Sequence, residues 1–111
     1  MAELRIDAER TPDDGDVTER GNPDDDHVTV RVVGEIDLDT ASQLAAGLDT
    51  CHGRVLVDLA GVTFIDSSGL GTLVRACNRL TAEGGGLFVQ DPPERVRRLF
   101  ELTGLTELLA D

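Results

Sequence analysis

A chain of 111 residues is long enough to bury one hydrophobic core but not two. Its 22 acidic residues against ten arginines and no lysine leave a net charge of −12, which argues against nucleic acid or an anionic membrane as a direct partner, and the lack of Trp and Tyr removes stacking platforms for single strands. No stretch nears the apolar length of a membrane span and the first residues, Met1 to Arg5, start no signal-peptide core, so the cytoplasm is the expected location.

Leu4, Ile6 and Ala8 alternate with Arg5, Asp7 and Glu9, the period of a half-buried strand. Residues 11–27 hold seven acids and one arginine among Pro, Gly and Asn, and a segment so poor in apolar surface predicts a flexible acidic loop. Val28, Val30 and Val32 alternate again and predict a second strand ending at Gly34, paired antiparallel with the first across that loop. Glu35 to Thr40 reads as a turn into a helix with Asp39 or Thr40 as its cap. Ala41, Leu44, Ala45 and Leu48 then mark one apolar stripe at helical spacing. After Gly53, Arg54 to Leu59 is a nearly continuous apolar run, as in a central strand covered on both sides.

Val62 to Ile65 predicts a short strand that runs into Asp66, Ser67, Ser68 and Gly69. Leu70, Leu73, Val74, Cys77 and Leu80 follow at helical spacing, so a helix is expected over 67–82, stopped by Gly84, Gly85 and Gly86. Leu87 to Val89 is the next strand. Pro92, Pro93 and Glu94 open a third helix with Val96, Leu99 and Phe100 facing inward and Gly104 at its C-terminal cap. Thr106 to Leu109 reads as either a short last strand or a frayed tail. The order β-β-α-β-α-β-α predicts a single α/β domain over 1–111, with a mixed, largely parallel sheet of four to five strands and right-handed crossovers. The helices are expected on one face, because the first two strands keep their polar and apolar alternation.

The junction at Asp66 carries the chemistry. A helix start leaves unpaired N–H groups and a partial positive charge, so Ser67 stands where a phosphate is accommodated and can serve as a reversible charge switch. Asp and Ser are also preferred N-caps, and capping by Asp66 or Ser67 would by itself explain the Asp-Ser-Ser tripeptide. Capping does not explain Gly69 and Gly71, where alanine would favour helix by about 1 kcal/mol each. Glycines accepted there predict that something approaches the backbone closely.

Catalysis is not expected. Gly-x-Ser-x-Gly is absent, and the nearest candidate base, His52, follows the first helix with no reason to face Ser67. Cys51 and Cys77, with only His27 and His52 to assist, lack metal-ligand spacing, so neither a metal nor another cofactor is expected, and Cys77 reads as a small core residue. A phosphate-binding Gly-x-x-x-x-Gly-Lys loop is missing as well.

Three segments occur in a telling order: Val33-Gly34-Glu35-Ile36-Asp37, then Val57-Asp58-Leu59 leading to Phe64-Ile65-Asp66-Ser67-Ser68-Gly69-Leu70-Gly71, then Arg97 to Leu105. Together, over about residues 28–109, they resemble the STAS domain, most closely the stand-alone anti-sigma factor antagonists of bacteria. The resemblance implies a module that binds an anti-sigma factor, itself a histidine-kinase-like serine kinase, and so releases a sigma factor. It implies that phosphorylation of Ser67 switches the module off and that a phosphatase acts on the phosphorylated form. The partner surface it implies comprises Asp37, Asp66, Ser67, Ser68, Gly69 and Leu70. The acidic loop is longer than the tight connection usual in the family, and many relatives continue past the position of Asp111 into a last strand and helix. The alternative role within the family is an accessory subunit of an ABC lipid-transport complex or another STAS protein-interaction module.

Overall fold

A computed structural model describes residues 4–11 and 27–109. The expected flexible acidic loop, apart from its two end residues, lies outside the described residues. The strands are β1 (Arg5–Thr11), β2 (His27–Ile36), β3 (Arg54–Ile65) and β4 (Gly86–Gln90), and the helices α1 (Ala41–Asp49), α2 (Ser67–Ala82) and α3 (Glu94–Leu102). They form one sheet in the order β1-β2-β3-β4. β1 runs antiparallel to β2, with Arg5 opposite Val33 and Glu9 opposite Thr29, and β2, β3 and β4 run parallel. The expected α/β order and mixed, largely parallel sheet are what the chain adopts.

Alternation decides which face is covered. Val30, Val32 and Ile36 of β2, Val55, Val57 and Leu59 of β3, and Leu87 and Val89 of β4 are all fully buried. They share one cluster with Leu44 and Leu48 of α1, Leu73 and Leu80 of α2, and Val96 and Phe100 of α3. Burying each such side chain contributes about 1.5–3 kcal/mol, which is why three amphipathic helices settle on one face. On the other face Arg31 bridges Glu9 and Asp58, each at 3.7 Å, and Val33 and Phe88 stand exposed. The run Arg54 to Leu59 was expected to be covered on both sides. Its alternate residues Leu56 and Asp58 are instead only half-buried on the open face, where the chain supplies no further helix.

β2 does not end at Gly34, nor is Val62 to Ile65 a separate strand. β2 continues to Ile36, and β3 runs unbroken for 12 residues. Two register shifts absorb the extra length of β3: Arg31 pairs with Asp58 but Val33 with Gly61, and Gly34 with Val62 but Glu35 with Phe64. Such bulges bend a strand without ending it. Gly34, at φ 121°, supplies a conformation closed to other residues. The result positions the site: the ends of β2 and β3 arrive together at Ile36 and Ile65.

α2 and α3 end in the same way. Gly85 N–H donates to Leu80 O at 2.8 Å after α2, and Leu105 N–H to Phe100 O at 2.8 Å after α3, the Schellman arrangement. Gly104, expected at the cap, sits one residue beyond the cap residue Thr103. Thr106–Leu108 forms a 3-10 turn with Leu108 buried, and Leu109 makes a single parallel bridge to Val89. That segment is neither the last strand nor the frayed tail that the sequence suggested. Among the described residues no helix is long and apolar enough to cross a membrane.

Candidate functional site at the start of the second helix

Asp66 follows the last residue of β3 in extended backbone, φ −114° and ψ −171°, and caps α2. Its Oδ1 accepts the N–H groups of Ser68 at 2.8 Å and Gly69 at 3.2 Å. Of the two cap candidates, Asp66 takes the role. Ser67 is therefore relieved of it: the side chain is exposed, and its hydroxyl makes no hydrogen bond among the described residues. Ser68 is half-buried beside it.

The turn between β2 and α1 is built on Asp37 and Thr40. Asp37 Oδ1 accepts the N–H groups of Asp39 at 3.0 Å and Thr40 at 3.1 Å. The buried Thr40 hydroxyl donates to Glu35 O at 2.8 Å and accepts from Asp37 N at 2.9 Å. Thr40 occupies the N-cap position of α1, but its hydroxyl points back into the turn and caps no first-turn amide. Asp66 N–H donates to Ile36 O at 3.1 Å, which sets this turn against the start of α2. Asp37, next to Ile36, and Asp66 thus stand at the corner where β2 ends and α2 begins, and each has a carboxylate oxygen committed to backbone amides.

The structure separates the expected partner-binding residues. Asp37, Asp66, Ser67 and Ser68 lie at the surface of this corner. Gly69 and Leu70 do not. Leu70 is only 6% exposed and belongs to the core cluster. Gly69 is buried, and a Cβ on it would lie 2.5 Å from Ile36 Cγ2 and 2.7 Å from Ile65 Cγ1. The close approach that its glycine permits is thus made by the protein's own core, not by a visiting molecule. Gly71 differs: a Cβ there would meet only Arg75 Nη1, at 3.4 Å.

An open groove of about 460 Å³ runs from this corner between the two helices, lined by Leu38, Ser42 and Ala45 on one side and Ser67, Gly71 and Arg75 on the other. Leu38 is 76% exposed, the apolar side chain that a docking surface would use here. Sequence reasoning passed over it, although a lone leucine in the otherwise polar turn Glu35 to Thr40, outside the α1 stripe, was a usable signal. Arg75 was passed over too; its signal is its place one turn after the unexplained Gly71.

At the far end of α2 the interactions are structural. His52 Nδ1 lies 3.3 Å from Glu83 Oε1, and Arg79 donates to Leu48 O at 2.9 Å and Cys51 O at 3.2 Å, tying the end of α1 to α2. The His52 imidazole and then the Arg79 guanidinium hold the Glu83 carboxyl below the usual carboxylate range. Burial pushes the Cys51 thiol up. α2 spans 16 residues, about 24 Å at 1.5 Å per residue, so His52 stands a helix length away from Ser67. Cys77 is half-buried against the core. Among the described residues no three His, Cys, Asp or Glu side chains gather where a metal ion could be held.

The family model described as "Mlab, STAS domain" matches residues 21–110. The anti-sigma-B factor antagonist of Listeria monocytogenes is 38% identical over 90 residues, covering 78% of this chain and 79% of that protein. Among solved structures, the anti-sigma factor antagonist SpoIIAA in its unphosphorylated form superposes with a TM-score of 0.69 at 27% identity, covering 77% of this chain and 78% of the other. The Bacillus cell fate determinant SpoIIAA in the phosphorylated form gives 0.62 at 26% identity, covering 77% and 81%.

Proposed function

The chain belongs to the STAS domain family, among the anti-sigma factor antagonists, and on that footing we propose that it binds an anti-sigma factor, frees a sigma factor, and is switched off by phosphorylation of Ser67. One observation carries the choice of residue. Asp66 does the capping, and Ser67 stands exposed, its hydroxyl without a hydrogen bond among the described residues, at the electropositive end of a 16-residue helix. The reaction needs nothing from this chain but that hydroxyl. The anti-sigma factor acts as the serine kinase, a phosphatase reverses the modification, and both meet the chain in the cytoplasm.

Magnitudes explain how one phosphate acts as a switch. It adds about −1.5 to −2 charges at pH 7. Within the fold the helix start favours an anion by roughly 0.3–1 kcal/mol, so the domain tolerates the group. At an interface the dianion must shed water at a corner that already carries Asp37 and Asp66, and a loss of about 2–4 kcal/mol is in line with burying a poorly paired charge. That is roughly 30- to 1000-fold in affinity. The fold is left intact while the complex fails.

The test is to mix the chain with candidate anti-sigma kinases and ATP and to map the phosphate by mass spectrometry. Modification at Ser67, abolished in Ser67→Ala, supports the reading. Binding of a kinase with no phosphate on Ser67 would overturn the switch, and retention on an ABC ATPase in place of an anti-sigma factor would overturn the partner.

A further inference from the structure

Arg75 is exposed on α2, two turns beyond Ser67, and both line the same groove. Helix side chains lean toward the N-terminus, so a long one is aimed back along the preceding turns. Arg75 follows that rule. Its Nη1 lies 3.4 Å from the place where a side chain on Gly71 would begin, and its Nη2 makes only a long contact with Thr72 Oγ1, at 3.4 Å. Arg75 makes no ion pair among the described residues.

Gly71 stands between the two residues, one turn, about 6 Å, after Ser67. The Arg75 guanidinium already reaches the level of Gly71, and a phosphate stands out from Ser67 by its Oγ–P and P–O bonds, so it is the arginine, swung past Gly71, that closes the remaining turn. The glycine at 69 is required by Ile36 and Ile65, but nothing in the core requires the one at 71. Its missing side chain keeps the lane between the guanidinium and Ser67 clear. We propose that a phosphate on Ser67 is held in cis by Arg75 across Gly71, as a charge-assisted pair.

This inference rests on the reading of Ser67 as the phosphorylated residue. It adds a second effect of the modification: the groove loses the free guanidinium that it offers a partner in the unmodified state. On its other side Arg75 also lines an adjoining hollow, where the charged groups are Asp49 of α1 and Arg79 of its own helix. Asp66 caps the helix start, and Asp37 follows Ile36, whose carbonyl accepts the Asp66 N–H.

Encoding phosphoserine directly at position 67 of the full chain makes the test independent of any kinase. A phosphorus NMR titration then reads the second pKa of that phosphate in the unsubstituted chain and in Arg75→Gln, Arg75→Lys and Gly71→Leu. Arg75 is exposed and leucine suits a helix better than glycine, so all four chains should fold. The neighbouring acids and Arg79 are the same in each, and the differences isolate Arg75. A cation beside the phosphate favours its dianion; Arg75→Gln should raise the pKa by roughly half a unit. Gly71→Leu, which blocks the lane, should raise it similarly, and Arg75→Lys should keep most of the original value. Coincident titrations of the unsubstituted chain and Arg75→Gln would overturn the pairing, even if a kinase modifies Ser67. Separate titrations together with a Ser67 that no kinase modifies would sink the proposed function and leave the pairing standing.

Discussion

The backbone N–H of Asp66 donates to the carbonyl of Ile36 at 3.1 Å. Ile36 ends β2 and Asp66 caps α2, so this bond joins two turns that are 30 residues apart in the chain. Through it Asp37 and Asp66 flank one corner, with Ser67 exposed between the cap and the groove. The consequences can be measured.

Capping and switching are divided between neighbours, and substitution should separate them. Asp66→Ala removes the acceptor for two amides and should destabilise the domain by about 1 kcal/mol, a fall in Tm of roughly 4 °C. Ser67→Ala should leave Tm within a degree and keep anti-sigma factor binding. Ser67→Asp should also leave Tm nearly unchanged but weaken binding at least several-fold. Calorimetric melting and titration of each variant check these together, and tight binding by Ser67→Asp would contradict the charge-switch reading.

Two glycines in the same helix should respond in opposite directions. Gly69→Ala forces a Cβ into Ile36 and Ile65, both fixed in the core, and should cost about 1–3 kcal/mol despite the better helix propensity of alanine. Gly71→Ala meets only the mobile end of Arg75 and should stabilise by up to about 1 kcal/mol. Urea unfolding of the pair decides it; equal effects would mean that the tight approach at Gly69 is not real.

Thr40→Val keeps the shape of a buried side chain but strips the Asp37 N–H and Glu35 carbonyl of their partner. Leaving such groups unsatisfied costs roughly 1–3 kcal/mol. The Asp37 turn should loosen with it. Amide exchange at residues 37–40 should speed up in this variant while exchange in β4 stays slow.

Glu83 titrates below its ordinary 4.5 in the folded chain, held there by His52 and then Arg79. A carboxylate whose pKa falls on folding stabilises above its unfolded value, and that contribution fades as pH drops through the folded value. Glu83→Gln should therefore lower the urea midpoint at pH 6, and the difference from the unsubstituted chain should shrink as pH is taken down through the acid range. The difference will be small, since the group faces solvent.

Local order along the chain made much of this readable beforehand. The alternation at Val28, Val30 and Val32, the helical spacing from Leu70 to Leu80, and the Asp-Ser-Ser step between them each depend on residues within a few positions of one another. The helix start followed from that short-range pattern, whereas the choice of Asp66 over Ser67 as its cap, and the exposure of Ser67, came with the structure. The unbroken β3 did not, because Ala60 and Gly61 resemble a turn until β2 is laid beside them with two shifts of register.

The amino-acid order by itself determined the three helices, the order of strands and helices and the residue at which α2 begins, since backbone preference and periodicity are local properties. Only the tertiary structure decided which neighbours of Ser67 face outward. Leu70 turned into the core and Leu38 out toward the groove, and Gly69 proved to make room for Ile36 rather than for a partner. The physical reason is that burial and close approach are set by segments meeting from opposite ends of the chain.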